Sequence, residues 1–178
     1  MAANRVALIL GSGPRVGQAV AERFAKEGYK VAIASRSGTG AKNEAGFLAL
    51  KADFSKPETV ASVFEGVKSE LGNFPSVVVY NAAALTPPPG DGMFTISSDK
   101  LATDLNINTT SPYIAAQQAV KGWETLPADT KKTFIYTGNG LNTMVFPTPL
   151  MTTLGVGKSA SAYWIGTADL TLSKAGYR

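Results

Sequence analysis

Five apolar residues in a row, Val6-Ala-Leu-Ile-Leu10, run straight into a glycine-rich turn, Gly11-Ser-Gly13-Pro-Arg-Val-Gly17, and an amphipathic segment follows at once. A continuous apolar run this short reads as a strand covered on both faces, and such strands belong to parallel sheets. Pro14 suits a first helical turn. Val16, Val20 and Phe24 then recur four apart while Glu22, Arg23, Lys26 and Glu27 are polar, which predicts a helix that ends at Gly28.

The same alternation continues. Val31-Ala-Ile-Ala-Ser35 reads as a second strand, a polar loop covers 36–43, and a third apolar run spans Phe47 to Ala52. Pro57 opens a helix in which Val60, Val63, Phe64, Val67 and Leu71 keep a three-and-four spacing up to Gly72. Ser76 to Tyr80 is the fourth strand, and Pro87-Pro-Pro-Gly90 marks a stiff surface loop. A long helix is predicted over Ser98 to about Leu126, a fifth strand over Thr133 to Thr137 and a last helix from about Val156 to Lys174. Strands alternating with helices pair in parallel, so the expected architecture is an α/β, doubly wound, Rossmann-type sheet of order 3-2-1-4-5 with helices on both faces, in one domain spanning 1–178. Ligands of such sheets bind beyond the carboxyl ends of the strands where the winding reverses, here between the first and fourth strands.

Composition excludes several chemistries. The chain has no Cys and no His, so there is no disulfide framework, no thiolate and no imidazole, and serine–histidine and cysteine–histidine hydrolysis are ruled out. Only scattered carboxylates remain as metal ligands, and no metal site is expected. The net charge of +4 comes from dispersed basic residues, of which only Lys131 and Lys132 adjoin, so nucleic acid is not expected as a partner. The first apolar run is too short for a signal-peptide core or a membrane span, and the expected compartment is the cytoplasm.

The turn after the first strand carries the clearest chemistry. Glycines let the backbone approach a pyrophosphate, and the unpaired N–H groups and dipole of a helix start favour negative charge. Gly11, Gly13, Arg15, Val16 and Gly17 are the candidate diphosphate cradle, although the spacing is GxGxxxG and an ordinary glycine-rich turn is the alternative. The end of the second strand selects the nucleotide: an acid there bonds ribose hydroxyls, whereas an arginine accommodates a 2′-phosphate. This chain has Ser35-Arg36-Ser37 and no acid, with Arg15 as a second positive group, so NADP is expected over NAD unless both arginines merely face solvent.

Several further segments match one family in order. The turn Leu10 to Gly17 resembles TGxxxGxG with Gly11 and Gly17 kept, Leu10 for Thr and Arg15 for the middle glycine. Ala52-Asp53-Phe54 resembles a segment that contacts adenine, and Tyr80-Asn81-Ala82-Ala83 resembles NNAG. In sequence and spacing, from Arg5 to about Lys174, the chain is similar to the short-chain dehydrogenase/reductase family. Asn108 resembles the family's helix asparagine, which is implied to hold a water of a proton relay. Independently, Pro112 cannot donate the helical bond to the carbonyl of residue 108, which is expected to stay open to water or ligand, a plain kink being the alternative. Lys158 resembles the family lysine that bonds the nicotinamide ribose.

The same frame shows two departures. Leu154 stands where the family places its tyrosine acid/base, and Gly138 stands where it places a carbonyl-polarising serine, with Thr137 and Asn139 beside it as hydrogen-bonding neighbours. Tyr163, five residues past Lys158, is expected in the core or an interface, and Trp164 against a helix or the sheet. The resemblance implies self-association through the two long helices as a homo-oligomer, and strands beyond the fifth; without them the fifth strand is a sheet edge, and a sequence that is a shortened form of a longer protein and an oligomer that covers the edge are the two alternatives.

Three readings of function follow. One is an NADPH-dependent reductase of an unknown small carbonyl or enone, with Lys158, Asn108, Thr137 and a water in place of the tyrosine. The second is a non-catalytic NADP-binding sensor or assembly protein. The third is an isomerase or lyase on the same fold that performs no hydride transfer.

Overall fold

The computed structural model describes residues 5–178; the first four residues of the expected 1–178 unit lie outside the described residues. The elements in chain order are β1 (Val6–Leu10), α1 (Val16–Lys26), β2 (Lys30–Ser35), β3 (Leu48–Lys51), α2 (Thr59–Leu71), β4 (Val77–Tyr80), α3 (Ser98–Leu105), a π-helical turn (Asn106–Thr110), α4 (Ser111–Trp123), β5 (Thr133–Tyr136) and α5 (Thr152–Leu172). The five strands form one sheet in the order β3-β2-β1-β4-β5. Each neighbouring pair is parallel, with Ile9 of β1 opposite Ile33 of β2 on one side and Val79 of β4 on the other.

The apolar run that opens the chain is central because both of its faces have work to do. Val6, Leu8 and Leu10 join Val60, Val63, Phe64 and Val67 of α2 and Ala115, Ala119 and Trp123 of α4 in one core. Ala7 and Ile9 point the other way, to Ala21, Val20 and Phe24 of α1. All five β1 residues are fully buried, and burying the Val, Leu and Ile side chains among them is worth roughly 1.5–3 kcal/mol each. Trp123 also satisfies its indole N–H by donating to the Pro75 carbonyl at 2.9 Å. Helices thus cover both faces of the sheet.

Among the departures from the sequence reading, three features have a clear local reason. The helix expected over Ser98 to about Leu126 is broken: Pro112 has no N–H for the carbonyl of residue 108, and the chain widens into a π turn in which the Ser111 N–H reaches back to the Asn106 carbonyl. The last helix starts at Thr152, four residues before the expected Val156, because the 3₁₀ turn Pro149–Met151 leads into it and Thr152 Oγ1 bonds the Pro149 carbonyl at 2.8 Å. The edge of β5 is partly covered by the chain itself. Tyr177 bridges Lys132 in parallel, Phe134 N–H donates to the Arg178 carbonyl at 2.7 Å and Arg178 N–H to the Lys132 carbonyl at 3.1 Å. Among the described residues no helix is long and apolar enough to cross a membrane.

Candidate functional site

At the carboxyl ends of β1, β2, β3 and β4 a cavity of about 1200 Å³ opens beside the glycine turn. Its floor is the turn itself, with Gly11, Gly13, Arg15 and Val16 on the wall. One end is built by Ser35, Arg36 and Ser37 after β2 and by Asp53 and Phe54 after β3; Asn81, Ala82 and Ala83 after β4 form the other. The candidate cofactor residues read from the sequence therefore meet at one place, with two exceptions. Gly17 lies buried under the turn, and Lys158 lies outside the cavity wall. Thr103 and Ile107, spaced four apart on the helix before Asn108, also line the cavity and were not singled out from the sequence. Their i, i+4 spacing, with Ile107 directly before Asn108, is the signal that could have found them.

The turn is shaped by contacts that only glycine permits. Gly11 has φ +95°, and a Cβ there would come within 2.4 Å of the Ala82 nitrogen. A Cβ on Gly17 would come within 2.6 Å of the Gly11 carbonyl oxygen, so Gly17 lets the helix start pack on the turn. Gly13 has nothing within 4 Å of where its Cβ would lie; its bare side faces open space. Asn81 ties the turn to β4, its N–H donating to the Leu10 carbonyl at 2.7 Å and its Nδ2 to the Gly11 carbonyl at 2.9 Å. The first N–H groups of α1 have no partner within the helix, and they open beside this turn. These features fit an elongated diphosphate group.

Charge at the far end is positive, with one compensated acid. Arg15 and Arg36 are exposed on the cavity wall. Hydrogen bonds from the Ser55 hydroxyl, 2.7 Å away, and the Ser55 N–H, 3.1 Å away, hold the Asp53 carboxyl below its ordinary value, and Lys56 and Arg36 add to this.

A second cluster lies where the π turn, β5 and α5 meet. Lys158 is 4% exposed; its Nζ donates to the Thr137 carbonyl at 2.6 Å and sits 4.2 Å from the centre of the Tyr136 ring. Burial lowers its pKa from 10.5 to about 8. Asn108 is fully buried, and its side chain is spent on the Ala84 backbone, Nδ2 donating to the carbonyl at 2.8 Å and Oδ1 accepting from the N–H at 3.0 Å. The expectation that the Asn108 carbonyl stays open is corrected: it accepts from Tyr136 Oη at 2.9 Å and Ser161 Oγ at 2.7 Å. Tyr80 Oη likewise donates to the neighbouring Ile107 carbonyl at 2.6 Å, so hydroxyls from β4, β5 and α5 absorb the acceptors that the broken helix frees. The tyrosines that do this, Tyr80 and Tyr136, stack at 6.0 Å, and burial raises both phenol pKa values.

Leu154 lies on α5 one turn before Lys158, so no ionisable phenol stands there, and Gly138 is exposed at the end of β5. Tyr163 is 81% exposed, which takes it out of the core and leaves an interface as the other place expected for it. Trp164 packs edge-on to Tyr113 of α4 and against Phe134 of β5, at 5.5 and 6.1 Å between ring centres.

A family model described as enoyl-(acyl carrier protein) reductase matches residues 14–133. The short chain dehydrogenase/reductase dmxR12 of Cryptosporiopsis sp. is 36% identical over 184 residues, which covers 97% of this chain and 73% of that protein. Tetrahydroxynaphthalene reductase PfmaG of Pestalotiopsis fici is 30% identical over 135 residues, covering 67% of this chain and 45% of its own length. Among solved structures, a 3-ketoacyl-(acyl-carrier-protein) reductase from Brucella melitensis, complexed with NADH, superposes with a TM-score of 0.83 at 24% identity, over 98% of this chain and 72% of that one.

Proposed function

Because the chain belongs to the short-chain dehydrogenase/reductase family, we propose that it binds a nicotinamide dinucleotide, NADP(H) in preference to NAD(H), and reduces a small carbonyl or enone. The observation that carries this reading is the cavity that joins the glycine turn to Arg15 and Arg36, with no acid at the end of β2 to claim ribose hydroxyls. The diphosphate is held by the N–H groups of 15–17 at the start of α1 and by the helix dipole, since the N–H groups of 11–13 already donate to the Ala34 and Gly11 carbonyls. Arg36 and Arg15 take the 2′-phosphate, Asp53 and Phe54 the adenine side, and Asn81 to Ala83 the passage toward the nicotinamide. When bound, the reduced nicotinamide supplies the hydride.

The chain's own contribution to the chemistry is a proton held at Lys158 Nζ. An ammonium with a pKa of about 8 is close enough to neutrality to give a proton to a developing alkoxide and regain it from solvent. The Thr137 carbonyl and the Tyr136 ring fix this ammonium, and Asn108 acts as a positioning residue that keeps β5 and α5 on the π turn. The named activities of reductases similar to this chain support a carbonyl substrate. A soluble homo-oligomer working in the cytoplasm, paired through α4 and α5, is part of the same reading; Tyr163 and Leu170, each 81% exposed on α5, support the pairing.

The second reading, a non-catalytic NADP-binding protein, is favoured by Leu154 and Gly138 together. Thermal melting with NADP, NADPH, NAD and NADH, followed by loss of NADPH absorbance with a panel of carbonyls, separates them. A cofactor-dependent rise in Tm with turnover supports the reductase, and a rise without turnover supports the second reading. No rise with any nucleotide removes both.

A further inference from the structure

We propose that the amino end of the sheet carries a second ligand site, one that takes a small aromatic monocarboxylate. A cavity of about 280 Å³ opens there, between the ends of α1 and α2 and the loop before β3. Its apolar wall is Tyr29, Val31, Phe47 and Leu71, the last three buried. Lys30 on this wall and Ser35 on the wall of the larger cavity stand at opposite ends of β2, about 17 Å apart in an extended strand, so the two cavities are separate.

The space is built before any ligand arrives. The loop folds back on the start of β3 as a short hairpin, in which the Gly40 N–H donates to the Ala49 carbonyl at 2.8 Å and the Ala49 N–H to the Ala41 carbonyl at 2.9 Å. Asn43 closes the tip: its N–H donates to the Phe47 carbonyl and its Oδ1 accepts the Phe47 N–H, each at 2.9 Å. Gly46 in this tip lines the cavity with φ +80° and nothing within 4 Å of where its Cβ would lie, so no neighbour fills the mouth beside it. On the other side the Phe24 ring holds Tyr29 edge-on at 5.2 Å, and the Arg5 guanidinium lies 4.5 Å from the centre of the Tyr29 ring. Walls fixed in advance lose little freedom on binding.

Charge at the mouth selects the ligand. Lys30 and Lys42 are exposed on the wall and neither pairs with a carboxylate, Arg23–Glu27 being the only ion pair among the described residues. Lys30 Nζ reaches the Leu71 carbonyl of the same wall at a long 3.3 Å, which places its ammonium at the cavity. Glu70 is the one acid of the wall, so two ammonium groups less one carboxylate leave it at +1, and Arg5 on the Tyr29 ring adds to that field. A single carboxylate answers this charge, whereas Glu70 opposes a more highly charged anion. One aromatic ring matches both the volume and the Tyr29 and Phe47 rings of the wall.

The site stands without the nucleotide reading, and its test contains no nucleotide. The full chain, labelled with 15N, is titrated with benzoate, with benzyl alcohol as the uncharged counterpart and with inorganic phosphate as an anion without a ring. Benzoate is expected to shift the Gly46 and Phe47 amide resonances in a saturable way and to leave that of Gly13 unmoved. Lys30→Gln and Lys42→Gln, at exposed positions where the rest of the spectrum reports directly that the fold is kept, are expected to weaken benzoate by roughly 3- to 5-fold each. Benzyl alcohol and phosphate are expected to bind more weakly than benzoate. Shifts that never saturate, that are matched by benzyl alcohol or phosphate, or that appear at Gly13 instead overturn the proposal. An affinity unchanged in either lysine variant overturns it as well.

Discussion

Gly157 of α5 lies so close to Asn108 in the π turn that a Cβ at 157 would come within 2.4 Å of the Asn108 Cβ. Thr109 Oγ1 bonds the Gly157 carbonyl at 3.2 Å across the same crossing. This approach is what brings Ser161 onto the Asn108 carbonyl and Lys158 over Tyr136. Gly157→Ala should therefore cost about 1–3 kcal/mol through forced backbone shifts. Gly166, further along the same helix, has nothing within 4 Å of its missing Cβ, so Gly166→Ala should stabilise by about 0.5–1 kcal/mol. Urea unfolding of the two variants checks the contrast; equal effects would show that α5 moves freely over the π turn.

Gly11 and Gly13 should fail differently. Gly11→Ala meets both a positive φ and the Ala82 nitrogen at 2.4 Å, so it is expected to lower Tm with or without nucleotide. Gly13→Ala meets nothing within 4 Å and should leave Tm unchanged, while its methyl group enters the cavity and weakens NADPH binding. Melting curves and titration of each variant with NADPH distinguish the two outcomes.

The strand order and the cavity wall were legible in the sequence because they follow from local signals. The unbroken run Val6–Leu10 can only be satisfied by two covered faces, and the glycines after it fix where the chain turns. The region around Lys158 was legible only in part. Pro112 announced a freed carbonyl at Asn108, yet which hydroxyl would claim it depended on Tyr136 and Ser161, 28 and 53 residues away. No periodicity encodes such a contact. The place of Tyr163 was legible only as core or interface for a related reason: the face of a helix of small residues is known only once the helix is packed, and here that face is open.

Nucleotide choice should respond to the arginines. Arg15 and Arg36 both line the cavity, exposed, at the end where β2 offers no carboxylate. Charge-assisted hydrogen bonds to a phosphate contribute about 1.5–3 kcal/mol each, so Arg36→Ala should weaken NADPH binding by roughly 10- to 100-fold. NADH binding should change little, and the NADPH preference of the parent protein should shrink as salt is raised. Dissociation constants for both nucleotides at two ionic strengths test this; a parallel loss for NADPH and NADH would assign Arg36 to the diphosphate instead.

Lys158 makes opposite predictions for activity and stability in the same pH range. Its folded pKa is about 8 against an ordinary 10.5, so between these values the unfolded chain binds the extra proton and the folded one does not. Stability should therefore rise as pH climbs from about 8 toward 10, and Lys158→Met should flatten that rise. Above pH 10 the slope reverses, because Tyr80 and Tyr136 hold their protons in the fold and release them when unfolded. Carbonyl reduction needs the ammonium form and should decline as pH passes about 8, where the protein is still gaining stability. A rate that stays flat through this window while Lys158→Met removes the stability slope would leave Lys158 buried and titrating but outside the proton transfer.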